Sequence, residues 1–369
     1  MHINPRCVGQ TIVVSLLLLL FLLLTGCVDF LLGTPKASFT CSPSICYCHQ
    51  RMTFDGSGCS GGNDAIAQYV WDFDDGTTGS GNGVAHAFTN PGDFQITLTI
   101  TTEHGQQASA TRTVHISKGL VVPTVYPTIQ AAIDAAKTGD VVVVLPGTYR
   151  ESIRFRGKAI TVQSTDPTDP SVVESTVIEG VDPGFSIIAF AQGETAAATL
   201  AGFTIRGGLE YPPCCGGGIY VREASPTIRN NHIVNHGGGA IYLVESAANI
   251  KENVFDGNTN SEPGGAIVVN CYTQSPVIAG NTFNNNRAPF GGAIYITAFT
   301  TDPDPATAAP TTVTNNTFAG NTGTGSGTAP PGGGAIYVEF SGNLLLDTPD
   351  SNTYSGNDPN DVFYTVPPT

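Results

Sequence analysis

Glu223 and Glu245 each stand four residues beyond an isoleucine, Ile219 and Ile241, that opens the same short motif, and Arg222 adjoins the first glutamate. If the two motifs are stacked strands, their carboxylates lie about 4.8 Å apart, the spacing of neighbouring strands. Such a pair splits its titrations or recruits a cation. Paired carboxylates serve glycoside hydrolysis, whereas carboxylates holding calcium beside an Arg or Lys base serve polysaccharide elimination. Against this, strand ends are where solvated charges normally sit, and neither a second carboxylate row nor a His–Arg set joins the pair. No catalytic residue is assigned, and Glu223, Glu245 and Arg222 stand as the candidates should the chain be an enzyme. His86, His104, His115, His232 and His236 are scattered and fit no metal spacing.

One residue beyond each repeated isoleucine comes Tyr220, Tyr242, Val268, Tyr295 and Tyr337. Strand alternation sends isoleucine inward and its neighbour outward, so these rings should form a stripe on one face. Tyrosine combines apolar area with a hydroxyl, which suits a sugar or a protein surface. The plainer alternatives are a loop covering the stripe, or tyrosine serving only as a good strand former.

The elements that position these residues are repeats. A glycine-led strand recurs as Gly217-Gly218-Ile219, Gly238-Gly239-Ala240-Ile241, Gly264-Gly265-Ala266-Ile267, Gly291-Gly292-Ala293-Ile294 and Gly333-Gly334-Ala335-Ile336. A second motif, Asn-x-(Ile/Phe/Tyr)-x-x-(Asn/His), starts at Asn231, Asn253, Asn281, Asn316 and Asn352, with spacings of 22, 28, 35 and 36 residues. A near-constant unit with variable insertions marks a solenoid. Stacked asparagines would bond in a ladder, and Ile233, Phe255, Phe283, Phe318 and Tyr354 would stack inside it.

Upstream, Ile129, Ala132, Ile133 and Ala136 fall on one helical face before Gly139, and the apolar strand Val141 to Leu145 follows. The stretch from Tyr126 to Tyr149 resembles the opening of pectin-lyase-like β-helix proteins, in which a helix plugs the end of the solenoid. The resemblance implies a right-handed, single-stranded parallel β-helix with an N-terminal capping helix. A first coil has no neighbour and needs such a cap. Many of those proteins are lyases, esterases or hydrolases. The paired motifs also resemble the GGAI and FxxN repeats of polymorphic outer-membrane proteins, which argues architecture more than function.

Residues 35–117 alternate as half-buried strands, as in Phe94 to Ile100, with turns at Asp75-Gly76 and Pro91-Gly92. Tyr69-Val70-Trp71-Asp72-Phe73-Asp74-Asp75-Gly76 resembles the YxWDFGDG signature of PKD domains, with Asp74 where that family usually carries glycine. The resemblance implies an Ig-like β-sandwich that acts as a spacer or binding module. The expected organisation is an all-β chain: leader 1–26, tether 27–34, sandwich 35–117 and β-helix 118–369, with 118–126 as a short linker. No cofactor is called for. A structural calcium is a candidate ion, and Asp72, Asp74 and Asp75 could bind a cation, although acidic residues there are ordinary turn formers.

Lys and Arg total 15 against 30 Asp and Glu, a net charge of −15 with no basic cluster, so nucleic acid would be repelled rather than gripped. Arg6 precedes the apolar run Thr11 to Leu24, and Leu24-Thr25-Gly26-Cys27 resembles the lipobox of bacterial lipoproteins. That resemblance implies lipidation at Cys27 and a membrane anchor in the cell envelope, at the outer membrane or cell surface. An uncleaved anchor running to Leu32 is the rival, broken by Gly26 and Asp29. Export favours two disulfides among Cys41, Cys46, Cys48 and Cys59, with zinc as the alternative. The chain therefore reads as an envelope lipoprotein that presents a β-helix to a glycan or protein ligand; the alternative is a polysaccharide-active enzyme.

Overall fold

The computed structural model describes residues 33–42, 46–181, 185–208, 217–297, 309–325, 332–339, 344–345 and 351–365. The leader, Cys27, Cys214 and Cys215 lie outside them. The chain divides into two compact units, 1–118 and 119–369. Nearly all of the described structure is β, with two short helices.

The first unit is a sandwich. Strands β1 (Thr40–Ser42), β3 (Met52–Asp55) and β6 (Gly83–His86) form one sheet. The other runs in the order β2 (Cys46–Tyr47), β8 (Gln107–Ser117), β7 (Gly92–Thr102), β4 (Ile66–Asp72) and β5 (Thr78–Ser80). Alternation along β7 buries Ile96, Leu98 and Ile100 completely. They meet Trp71, Phe54, Phe73 and Phe88 in the core, and the Trp71 indole N–H donates to the Gly81 carbonyl at 2.8 Å.

The expected disulfides are corrected here: Cys41, Cys46, Cys48 and Cys59 are free thiols. Cys41 belongs to the three-stranded sheet and Cys46 to the five-stranded one. Cys46 donates to the Tyr47 and Gln50 carbonyls, and Cys59 to that of Ser38. Burial pushes the Cys46 thiol up to about 11, so it sits in the core as a neutral donor.

The second unit is a parallel solenoid of three faces. Nine strands, from Leu120–Val122 to Leu344–Leu345, make the first face. Eight strands from Gly147–Arg150 to Thr353–Ser355 make the second, and eight from Ile153–Arg154 to Val362–Tyr364 the third. Residues 120–122, expected within a linker, already pair with Val142–Val144, because Leu-Val-Val supplies an apolar rung for the first coil. Helix α1 (Ile129–Ala135) follows that rung. Thr128 caps it, and it buries Ile129, Ala132 and Ile133.

Inside, the register is exact enough to stack like on like. Ile219, Ile241, Ile267, Ile294 and Ile336 are successive partners on the third face. On the second face Phe255, Phe283 and Phe318 stack with centroids 4.8 Å apart and planes within 5°. The asparagines on either side of this stack make two buried ladders. The Asn231, Asn253 and Asn281 amides each bond the side-chain oxygen of the next asparagine at 2.9–3.0 Å. Asn258, Asn286 and Asn321 do the same one turn further on, each also donating to a carbonyl of the previous coil. These bonds satisfy the backbone groups that the corners would otherwise strand.

Candidate functional site

The strands of the third face carry two outward rows. The first holds Ala189, Tyr220, Tyr242, Val268, Tyr295, Tyr337 and Phe363 in successive coils. The second, two residues on, holds Arg222, Val244, Asn270 and Thr297, with Glu339 beyond Val338. The tyrosines are half-buried and Val268 is 6% exposed, which divides the aromatic row in two. Tyr220 and Tyr242 stack at 6.2 Å and 25°. Tyr295 and Tyr337 stack at 5.7 Å, and Tyr337 and Phe363 at 5.1 Å. Because the rings face one another, the row offers a ligand mainly edges and hydroxyls rather than free faces.

The row is tied to its polar neighbour through Glu339. Tyr295 donates to Glu339 at 3.0 Å, and Thr297 donates to the same carboxylate oxygen. Burial, then the adjacent Glu339 carboxylate, hold the Tyr295 phenol far above its ordinary value. Tyr337 shifts the same way for the same causes. The structure thus places the four tyrosines on one outer face, in two stacked groups joined to a polar row.

The glutamates behave differently. Glu223 and Glu245 do occupy the same place in adjacent coils, yet both are left-handed, at φ 50° and 44°. Glu223 pairs with Arg222 at 3.1 Å in the open, with 67% of its side chain exposed. Glu245 turns to the next coil and accepts the Tyr272 N–H at 2.7 Å, the Thr273 N–H at 3.0 Å and the Thr273 hydroxyl at 2.6 Å. Burial raises its carboxyl, but these bonds outweigh it and pull the group below its usual range. The two carboxylates are thus committed to separate partners, and Glu245 closes a turn. Cys271 occupies the equivalent position one coil further, where burial pushes its thiol up to about 12.

In the sandwich, Asp72 accepts the Asp74 N–H, Asp74 the Gln95 N–H, and Asp75 the Thr77 N–H and hydroxyl. Asp75 also meets His86 Nε2 at 2.6 Å. The acidic turn is hydrogen-bonded from within. Among the described residues, no group of three or more His, Cys, Asp or Glu is placed to hold a metal ion.

His236 fills the Asn/His position of the repeated motif. His236 stands where the second ladder would have asparagine: Nδ1 accepts the Gly208 N–H at 3.1 Å, and Nε2 donates to the Ile205 carbonyl at 3.0 Å. It follows Asn231 by five residues, as Asn258 follows Asn253. The sequence reading missed an insertion between the first and second faces, residues 165–175, which carries helix α2 (Pro170–Ser175).

Taken together, these units define a two-part β protein, an Ig-like sandwich followed by a parallel β-helix with a patterned outer face. The chain belongs to the right-handed β-helix family, whose model, described as a right-handed beta helix region, matches residues 162–357. The PKD domain model matches residues 34–117. Over 85 residues the chain is 32% identical to a microbial collagenase of Vibrio alginolyticus, covering 23% of this chain and 10% of that protein. It thus spans about a tenth of that relative's length. Among solved structures it is similar to the PKD1 domain of the Vibrio cholerae metalloprotease PrtV, at 22% identity, 23% of this chain, 100% of that one and a TM-score of 0.21. The family 28 exopolygalacturonase of Yersinia enterocolitica matches at 12% identity, 90% of this chain, 88% of that one and a TM-score of 0.31.

Proposed function

We propose that this is an exported envelope lipoprotein that binds rather than reacts, and that the third face of its β-helix meets a glycan or protein ligand. The observation that carries the reading is the half-buried row of Tyr220, Tyr242, Tyr295, Tyr337 and Phe363 beside the polar row from Arg222 to Glu339. A regular, rigid alternation of ring edges, hydroxyls and charges is a contact surface that needs no moving part. The commitment of Glu245 to a turn, and of Glu223 to Arg222, supports binding over catalysis.

Lipidation at Cys27 would hold the protein at the outer membrane or cell surface, with the sandwich as a spacer; the lipobox residues support this. Among the described residues no helix is long and apolar enough to cross a membrane. The reading invokes no cofactor and no nucleic acid. The test is a glycan array and a panel of purified envelope components, probed with the lipid-free protein and with Tyr242→Ala and Tyr337→Ala. Loss of binding with an unchanged melting temperature supports the third face; loss of stability with unchanged binding overturns it.

A further inference from the structure

In five successive coils the chain passes from the first face to the second through one left-handed residue: Gly202, Asn230, Glu252, Gly280 and Asn315. The coil before them does not. Between the strands Thr161–Ser164 and Thr176–Glu179 lies the insertion 165–175, which is ordered by its own bonds. Asp169 caps α2 through the Ser171 N–H at 2.9 Å. The Thr204 hydroxyl donates to the Val173 carbonyl at 3.0 Å, and the Thr176 hydroxyl to that of Val172 at 2.7 Å. Gly202 is left-handed at φ 82°, and a Cβ there would lie 2.5 Å from Pro167 Cα, so the corner is shaped to the insertion.

The insertion leans along the solenoid past Gly202 and bounds, with the corners of Asn230 and Glu252, an open-sided cavity of about 260 Å³. Its walls are apolar at Pro167, Pro170, Val173 and Val254, and Glu174, Glu252 and His232 bring polar groups to it. In solenoids, insertions into single repeats gather on one side and commonly carry the binding face.

We propose that this cavity is a second binding site, separate from the third face, which takes one neutral hexose unit of a glycan. The volume is below the roughly 300–1,000 Å³ of drug-sized pockets and suits a single sugar ring. Proline and valine walls meet the C–H surface of the ring, while carboxylates accept from its hydroxyls and the imidazole completes the set. Two exposed carboxylates, Glu174 and Glu252, at its rim disfavour a uronic acid by like-charge repulsion. The cations beside these corners, Arg229 and Lys251, belong to the first face's outer row, and Arg229 is bonded to the Asn230 side-chain oxygen at 2.9 Å.

The experiment is saturation-transfer NMR on the full lipid-free chain with glucose, galactose, mannose, glucuronate and galacturonate in turn. Wild type should receive signal from at least one neutral hexose and much less from either uronate. Val254→Trp, entering the cavity from a side chain 36% exposed, should reduce that signal to background. Glu252→Gln should weaken it severalfold, and Tyr242→Ala should leave it unchanged. Silence from every neutral hexose, equal signal from a uronate, or signal that survives Val254→Trp would overturn the proposal. If Tyr242→Ala alone removes the signal, the sugar sits on the third face and this cavity does not bind it.

Discussion

Glu151 and Lys158 hold opposite ends of one helix. The Glu151 carboxylate accepts the Ile129 and Gln130 N–H groups at 2.9 Å each. Lys158 Nζ donates to the Ile133, Asp134 and Ala136 carbonyls at 2.7, 2.7 and 2.8 Å. An anion at the N-terminus and a cation at the C-terminus each satisfy orphan backbone groups and oppose the helix dipole. The first coil thus supplies both clamps for the plug that covers it.

Lys158→Ala should therefore loosen α1 and cost about 1–2 kcal/mol, the range of a lost helix cap. Hydrogen exchange would show it first at Ala132 to Ala136. Lys158→Arg should recover part of the loss, and exchange unchanged in Lys158→Ala would refute the clamp.

Acid should weaken the solenoid through His236. Burial holds this imidazole down to about 4, against an ordinary 6.5, and its Nδ1 faces an N–H donor, so the folded coil has no place for a second proton. The unfolded chain binds that proton more readily. Stability is therefore complete above pH 6.5 and falls as the pH drops toward 4, by about 3 kcal/mol at 1.4 kcal/mol per unit. Asp64, held at about 2 chiefly by the Thr102 hydroxyl, keeps its charge across that window. Melting temperatures from pH 7 to pH 4 should show the slope in wild type and lose it in His236→Asn, whatever that variant costs at neutral pH.

Asn281→Ala should be among the most damaging single changes. It leaves the Asn253 N–H and the Ile250 carbonyl buried without their partner. At roughly 1–3 kcal/mol for each stranded group, the loss is about 3 kcal/mol or more, readable by urea denaturation. Thr282→Ala, one residue on and partly exposed, should change stability by less than about 0.5 kcal/mol.

Much of this was legible from the repeats. Spacing alone assigned Ile219 and Ile241 inward and Tyr220 and Tyr242 outward, because strand alternation has a period of two and no exceptions within a paired strand. The stack of Phe255, Phe283 and Phe318 and the asparagine ladders followed from the same periodicity. What periodicity does not encode is backbone at the corners. Glu223 and Glu245 carry positive φ, which swings each carboxylate toward its own partner and dissolves the pair that the spacing suggested. His236 fits the Asn/His position of the motif because an imidazole can imitate a carboxamide by accepting on one nitrogen and donating on the other. The cavity beside α2 brings together residues 167–174 and 230–254, which are 56 to 87 apart in sequence and for which no motif exists.

Glu245→Gln should cost about 1 kcal/mol, since a neutral amide accepts more weakly from Tyr272 and Thr273. Binding at the third face should persist. A depolymerase activity on an acidic glycan that vanishes in this variant would instead establish the enzyme reading.

Cys27 should carry lipid. Metabolic palmitate labelling and mass spectrometry of the mature N-terminus check it; a protein that starts upstream of Cys27 and takes up no label would exclude the anchor.

The asparagine ladders run one way. Each amide N–H waits for the side-chain oxygen of a coil that comes later in the chain, as Asn253 waits for Asn281 and Asn281 for Asn316. A coil already in place thus presents open donors as a template for its immediate successor and needs nothing from the far end of the molecule. The solenoid can be laid down in the order in which the chain is synthesised, each rung docking as it emerges.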